Sequence, residues 1–479
     1  MAIPRLNTGP ATGVSRRAFA GLIGGGAASV GLGTLAVPSA RAATPTAAGT
    51  ASAARSAALP PPSSKGYWDA VRRLFVLDKD VLFMNVGTVG SPPREVLQTV
   101  DRVHREVAVG AISAYSNFAD VRAVAARGYG CDPDELVISH NTTDGMSKVI
   151  AGLALKDGDE ILTTNHEHSG GNVPMALAHD RHGVVIKRVA LPVGNDQRAE
   201  DYVELFRKAI TSRTKVLLFS APTYKTGTML PIKMLARLAQ EHGLTTLVDG
   251  AHIPGMMAYN FHELGVDFLA GSAAKWQCGP GGTGVLYIRN KVLSRHNPNP
   301  LPEFWPVVSS GYPAEGGRPP RSDGPKESYD IAADLQSVGN GSLAIMAGVG
   351  NVCEIWDRIG RQRIEKHVLG LSGYLKELIA ERWGVKSLYS PKDDPRLVCA
   401  LTSFAPFRDR DDIYDADKAT KFVARLKDEH GIVIRTSDFP VIGSSKNHQV
   451  VRVSTHLFHQ KEDVERVADA MWRLSREMS

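Results

Sequence analysis

Between residues 135 and 288 the chain alternates short apolar runs with stretches whose apolar residues recur every three or four positions. The runs are ELVIS (135–139), EILTT (160–164), KVLLFS (215–220), LTTLVD (244–249), VDFLAG (266–271) and GVLYI (284–288). This alternation predicts an α/β domain built on a mostly parallel sheet. Sheets of that kind bind ligands at the carboxyl ends of their strands. The polar groups that directly follow the runs are therefore the candidates for chemistry: Asn141 to Asp144, His166 to His168, Thr223, Asp249 to His252, and Ser272 to Lys275.

Further along the pattern changes. Residues 291–342 are rich in Pro, Gly and charge and read as loops. Helical periodicity over 343–382 is followed by the strand-like VCALTSF (398–404), a helix near 417–430, strands near 432–436 and 450–454, and a last helix from about residue 460. That tail predicts a smaller α+β domain. The expected plan is a targeting segment (1–42), a flexible linker rich in Ala, Thr, Ser and Pro (43–65), an N-terminal segment (66–95), a large domain (96–300), a loop-rich connection (301–342) and the small domain (343–479). No internal repeat is present.

Composition alters this picture mainly at the N-terminus. With 479 residues, 43% of them hydrophobic, the chain can bury a large core. The formal charge is +6, but Arg5, Arg16, Arg17 and Arg41 fall in the first 42 residues, which hold no acid, so the remainder is nearly balanced. No basic run points to nucleic acid. Ser15-Arg16-Arg17-Ala18-Phe19 precedes an uncharged Gly/Ala/Leu stretch to Val37, and Ala40-Arg41-Ala42 is a small-x-small cleavage signal. The segment resembles a twin-arginine signal peptide. The resemblance implies passage of a folded protein through the twin-arginine export machinery, a periplasmic or extracellular location, and no stable membrane insertion after processing. The interspersed glycines weaken the rival reading as a spanning anchor. Cys131, Cys278, Cys353 and Cys399 are widely spaced and suggest neither a zinc site nor a disulfide framework.

Asp249 ends one apolar run, and Lys275 follows the next by a few residues. Neighbouring strand ends can place a carboxylate and an amine on opposite edges of one ring. A pyridoxal 5′-phosphate (PLP) enzyme needs those two groups, together with a flat group over the ring and donors for phosphate.

The motifs VDGAH (248–252), GSAAKW (271–276) and CGPGGTG (278–284), in that order, resemble the class V aminotransferase family of fold type I PLP enzymes, more narrowly its isopenicillin N epimerase-like branch. The resemblance extends from FMNVGTVGSPP (83–93) through NTTDGMSKV (141–149) and TNHEHSGGNVP (164–174) to VRVSTHLF (451–458). It implies a fold type I PLP-transferase, with a large mostly parallel sheet domain and a smaller C-terminal α+β domain, acting as a homodimer on a small amino compound. Lys275 matches the lysine that holds the cofactor as a Schiff base, and Asp249 the acid on the pyridine nitrogen. His168 matches the group stacked on the ring, while His252 and Thr223 match residues near the phenolic oxygen. Thr142, Thr143 and Ser272 match phosphate ligands, the first two at a helix N-terminus. Arg452 matches the arginine for the substrate carboxylate, and Asn85, Gly87 and Thr88 border the substrate pocket. Gly339 and Asn340 align with a phosphate contact across the dimer. Where the family often has histidine before the lysine, this chain has Ala274.

Simpler readings stand beside these. His166 and His168 in the HEH sequence suit a metal by spacing, but no third ligand accompanies them, and no metal is expected. Gly279 to Gly284 read equally as a hairpin, and Arg435 or Arg321 are alternatives to Arg452. Cys399 lies within an apolar run, which suits burial better than a mobile nucleophile. The expected activity is amino-group transfer, with epimerisation or a C–S lyase or desulfurase reaction as alternatives and a catalytically idle PLP-binding protein as the non-enzymatic one.

Overall fold

The apolar runs are continuous because the strands they form are covered on both faces. In the computed structural model, which describes residues 59–116, 118–289, 296–301, 303–312, 330–407, 409 and 411–479, β1 (Leu82–Phe83) belongs to the N-terminal segment. A seven-stranded sheet follows: β2 (Leu136–Ser139), β3 (Glu160–Thr164), β4 (Val185–Val189), β5 (Thr214–Ser220), β6 (Thr245–Gly250), β7 (Phe268–Ser272) and β8 (Gly284–Ile288). Its spatial order is β2-β8-β7-β6-β5-β3-β4. Only β8 runs against its neighbours, β2 and β7.

Side chains alternate across this sheet with period two. Leu217, Phe219, Val248, Leu269 and Val285 enter one core, and Val216, Leu218, Leu247, Phe268 and Leu286 the other. Each such side chain contributes about 1.5–3 kcal/mol by leaving water. β4, at the edge, is half-exposed and carries Lys187 and Arg188, which discourage further pairing there.

The C-terminal part holds β9 (Leu401–Phe404), β10 (Ile432–Val433), β11 (Arg435–Phe439) and β12 (His448–Ser454). Antiparallel β11-β12-β9 form a three-stranded sheet. Val451 and Val453 point into a core shared with Leu375, Phe422 and Val464 of the helices Arg361–Trp383, Ala416–His430 and Lys461–Glu477. By the same alternation Arg452 and Ser454 face the other way.

Two expected boundaries shift. The linker expected through residue 65 ends earlier, because Leu59 already packs on the main core. The helix Leu343–Ile359, placed by sequence in the small domain, buries Val349, Val352 and Trp356 in the core that also holds Leu136 and Ile138 of β2. The targeting segment 1–42 lies outside the described residues. Among the described residues, no helix is long and apolar enough to cross a membrane.

Candidate active site

β6 and β7 are parallel neighbours, with Asp249 paired to Ala270. Asp249 therefore leaves its strand beside the β7 chain, which presents Lys275 three residues beyond its end. That chain turns through a braced loop into β8: the Ala273 amide donates to the Thr283 carbonyl at 3.2 Å, the Gly279 amide to the Ala273 carbonyl at 2.8 Å, and the Cys278 amide to the Lys275 carbonyl at 3.0 Å. The glycine-rich stretch thus lies in a hairpin connection. A methyl group at Gly90 would stand 2.0 Å from the Lys275 carbonyl oxygen, so only glycine lets the N-terminal segment cross here. Burial drives the Lys275 amine down to about 8, against the pull of Asp249. Burial also raises the Asp249 carboxyl, against the pull of Lys275. Asp249 Oδ1 accepts from the Ala251 amide at 3.1 Å.

His168 caps the helix Ser169–His182, its Nδ1 accepting from the Gly170 amide at 3.0 Å. Its ring meets Tyr224 edge-on, with centroids 5.0 Å apart. Desolvation lowers its pKa, although Asp249 pulls the other way. The turn at this cap separates the two histidines of HEH, since His166 packs beside Phe439 and burial depresses it to about 4. His252 is buried and accepts at Nδ1 from Trp276 Nε1 at 2.9 Å, which leaves the proton of its neutral ring on Nε2. Burial and nearby cations hold its pKa well below the ordinary range. Thr223 joins a buried hydroxyl chain, 2.8 Å from Thr226 Oγ1, which lies 2.9 Å from Thr228 Oγ1.

Asn141 caps the helix Thr142–Gly152 by accepting from the Asp144 amide at 2.9 Å, leaving the first amides of that helix open. Thr142 Oγ1 is sealed from solvent with no hydrogen-bond partner. Ser272, at the end of β7, is buried near this helix start: Gly284 is its register partner, and a Cβ added to Gly284 would stand 2.8 Å from Asn141 Cα. Thr143 is exposed beside Gly170.

Arg452 is 1% exposed, donates from Nη1 to the Tyr224 carbonyl at 2.7 Å, and keeps Nε unpartnered. Burial and Arg435 both work against its charge. Thr88 Oγ1 lies 3.4 Å from both arginines and donates to Asn85 Oδ1 at 2.8 Å. His168 feels the charges of Asp249, Lys275, Arg435 and Arg452, and Thr88 links the arginines to Asn85, so these residues from both parts of the chain form one group. Arg321 lies outside the described residues, and the Asn340 side chain accepts from the Ala114 amide at 2.6 Å within this chain.

Residues 94–302 match the family model described as aminotransferase class-V. The chain is 28% identical to isopenicillin N epimerase of Amycolatopsis lactamdurans, across 85% of this chain and 99% of that protein. The Streptomyces clavuligerus protein of the same name is 26% identical, over 86% and 99%. A probable cysteine desulfurase of Halalkalibacterium halodurans is 25% identical, over 84% and 96%. In fold, the chain matches the cysteine desulfurase of Thermococcus onnurineus with a TM-score of 0.67 at 20% identity, covering 85% of this chain and 98% of that one. These likenesses all point to the class V aminotransferases. The cofactor is PLP, and the protein is a PLP-dependent enzyme.

The residues suit a class V site. The buried, unpartnered Thr142 hydroxyl, the open helix amides and Ser272 are donors of the kind a phosphate takes. Asp249, buried and raised despite the pull of Lys275, has no ion-pair partner among the described residues, a place that a protonated ring nitrogen would fill. Sequence reading missed Glu167, which lies behind this class V pocket. Its carboxylate accepts from Ser220 Oγ and Thr164 Oγ1, both at 2.6 Å, and burial lifts it to about 7, with Asp249 adding to the rise. Ser220 is the register partner of Asp249. The available signal was an acid three residues after an apolar strand.

Proposed function

We propose that this enzyme moves the amino group of an amino acid to a 2-oxo acid, with Lys275 as the group that takes and returns the substrate's α-proton. The observation that carries the proposal is an amine, Lys275, driven to about 8 within the electrostatic reach of Arg452, a buried guanidinium with no carboxylate partner among the described residues. PLP, when bound, supplies an electron sink that acidifies the α-carbon of an attached amino acid. Asp249 would keep the ring nitrogen protonated, and His168 would stack on the ring. Thr142, Thr143 and Ser272 would hold the phosphate, and His252 and Thr223 would contact the phenolic oxygen. Arg452 holds the α-carboxylate and so fixes the α-hydrogen toward Lys275. An amine near 8 has a sizeable neutral fraction at neutral pH and can accept that proton.

Epimerisation is the second reading, favoured by the names of the two epimerase relatives. Desulfuration through a cysteine nucleophile has no support in the pocket, because all four cysteines are buried and burial raises each thiol. Cys399 donates to the Gly227 carbonyl at 3.0 Å.

The test is a panel of amino acids, with and without 2-oxo acids, in heavy water. Deuterium at the α-carbon together with a new amino acid from the oxo acid supports transfer. Deuterium with inversion and no transfer supports epimerisation, and no exchange with any amino acid defeats both. We further propose that the chain is exported through the twin-arginine pathway and acts as a homodimer. N-terminal sequencing should then begin at Ala43, and light scattering should give twice the chain mass. An intact N-terminus confined to the cytoplasm counts against export.

A further inference from the structure

Arg435 and Arg452 are register partners across β11 and β12, so their side chains leave the same face of the sheet. Both guanidinium heads reach within 3.4 Å of one oxygen, Thr88 Oγ1. Neither forms an ion pair among the described residues. The acid on the same strand, Asp438, is engaged by Lys225 at 3.9 Å and by Asn447 at 2.7 Å. Two like charges held this close repel, the more so because Arg452 is out of bulk water, and an arrangement of this kind is completed by anions.

Each head also keeps donors beyond its contact with Thr88. Arg452 uses Nη1 on the Tyr224 carbonyl and one Nη2 hydrogen toward Thr88, which leaves the second Nη2 hydrogen and Nε, buried and unpartnered. Arg435 uses Nε on the Thr436 carbonyl at 3.0 Å and one Nη1 hydrogen toward Thr88, which leaves the other hydrogens of Nη1 and Nη2. An open guanidinium edge fits the two oxygens of one carboxylate. One carboxylate on the Arg452 edge has both oxygens engaged and cancels one charge. The second edge and the second charge remain.

We propose that Arg435 is a second anion receptor in this pocket, so that the substrate is an amino acid carrying another carboxylate close to the first: an amino dicarboxylate. This rests on the reading of Arg452 as the α-carboxylate site of a PLP enzyme. Because Arg452 is buried and Arg435 only half-buried, the α-carboxylate sits deep and the second anion toward the mouth.

The test titrates the visible absorption of the holoenzyme with isosteric pairs, aspartate against asparagine and glutamate against glutamine, in both enantiomers. At least one acid should bind about tenfold or more tighter than its amide. In Arg435→Gln that ratio should fall below about threefold, and Arg435→Lys should keep an intermediate value because it restores charge without the fork. A wild-type ratio within threefold for both pairs overturns the proposal, as does a ratio unchanged in Arg435→Gln. If no amino acid alters the absorption, the reading on which the proposal rests has failed and the proposal falls with it. That result is distinct from binding without discrimination.

Discussion

Asp249 lies one residue before the carboxyl end of β6 and Lys275 three residues beyond the end of the parallel strand β7, and each stabilises the charge of the other in surroundings that disfavour both. Desolvation is the larger effect for each. The lysine is therefore poised to lose its proton, while the aspartate is ready for another cation.

Replacing Lys275 by Ala removes the only group assigned to bond the cofactor. After borohydride reduction, wild-type protein should carry PLP covalently by mass spectrometry, and Lys275→Ala should carry none. Label retained on another lysine would overturn the assignment.

The lowered amine makes cofactor uptake depend on pH in a defined direction. Only the neutral amine attacks an aldehyde, and a group with pKa about 8 is about one-tenth neutral at pH 7 and nine-tenths at pH 9. The rate at which apoenzyme takes up PLP should therefore rise about tenfold between those values and then level off. A rise that continues past pH 10 would mean an ordinary lysine.

Asp249→Asn keeps the shape of the side chain and removes its charge. PLP should still bind, whereas exchange of the substrate α-hydrogen should slow by about 100-fold or more, the scale on which loss of one preorganised electrostatic group acts. Exchange in heavy water followed by proton NMR measures this directly.

Arg452 separates a functional from a structural role. A buried arginine without an anion burdens the fold, so Arg452→Met should melt no lower than wild type. Its KM for the amino substrate should nevertheless rise about 30-fold or more, the loss expected when one partner of a buried charge pair is removed. A large drop in thermal midpoint would identify a structural residue.

Cys399→Ala tests the chemistry from the other side. With its thiol buried and held by Gly227, the substitution should cost about 1 kcal/mol of stability and leave turnover intact. Complete loss of turnover in a folded variant would restore a sulfur-transfer mechanism.

The large domain was legible in the sequence because doubly buried strands read as short, mostly apolar runs and their ends are polar. The groups around Asn141, His168, Thr223, Asp249 and Lys275 all lie at those ends. β4 escaped notice since an edge strand can carry Lys187 and Arg188 without cost. The reversal of β8 was hidden as well, because an apolar run has no direction. Glu167 was lost between two histidines, where spacing suggested metal and only the fold reveals burial. The alignment of Arg435 beside Arg452 depends on a strand register that no local pattern encodes.

The first strand has a consequence for how the molecule is made. Leu82 and Phe83 pair with Ile432 and Val433, so β1 stays without its neighbour until nearly the whole chain has left the ribosome. Asn85 and Thr88, carried just beyond it, reach the pocket only at that time, as does Arg452. The cofactor-binding half can thus assemble early, while the substrate-binding half is a late product of synthesis, the order expected when contacts span most of the chain.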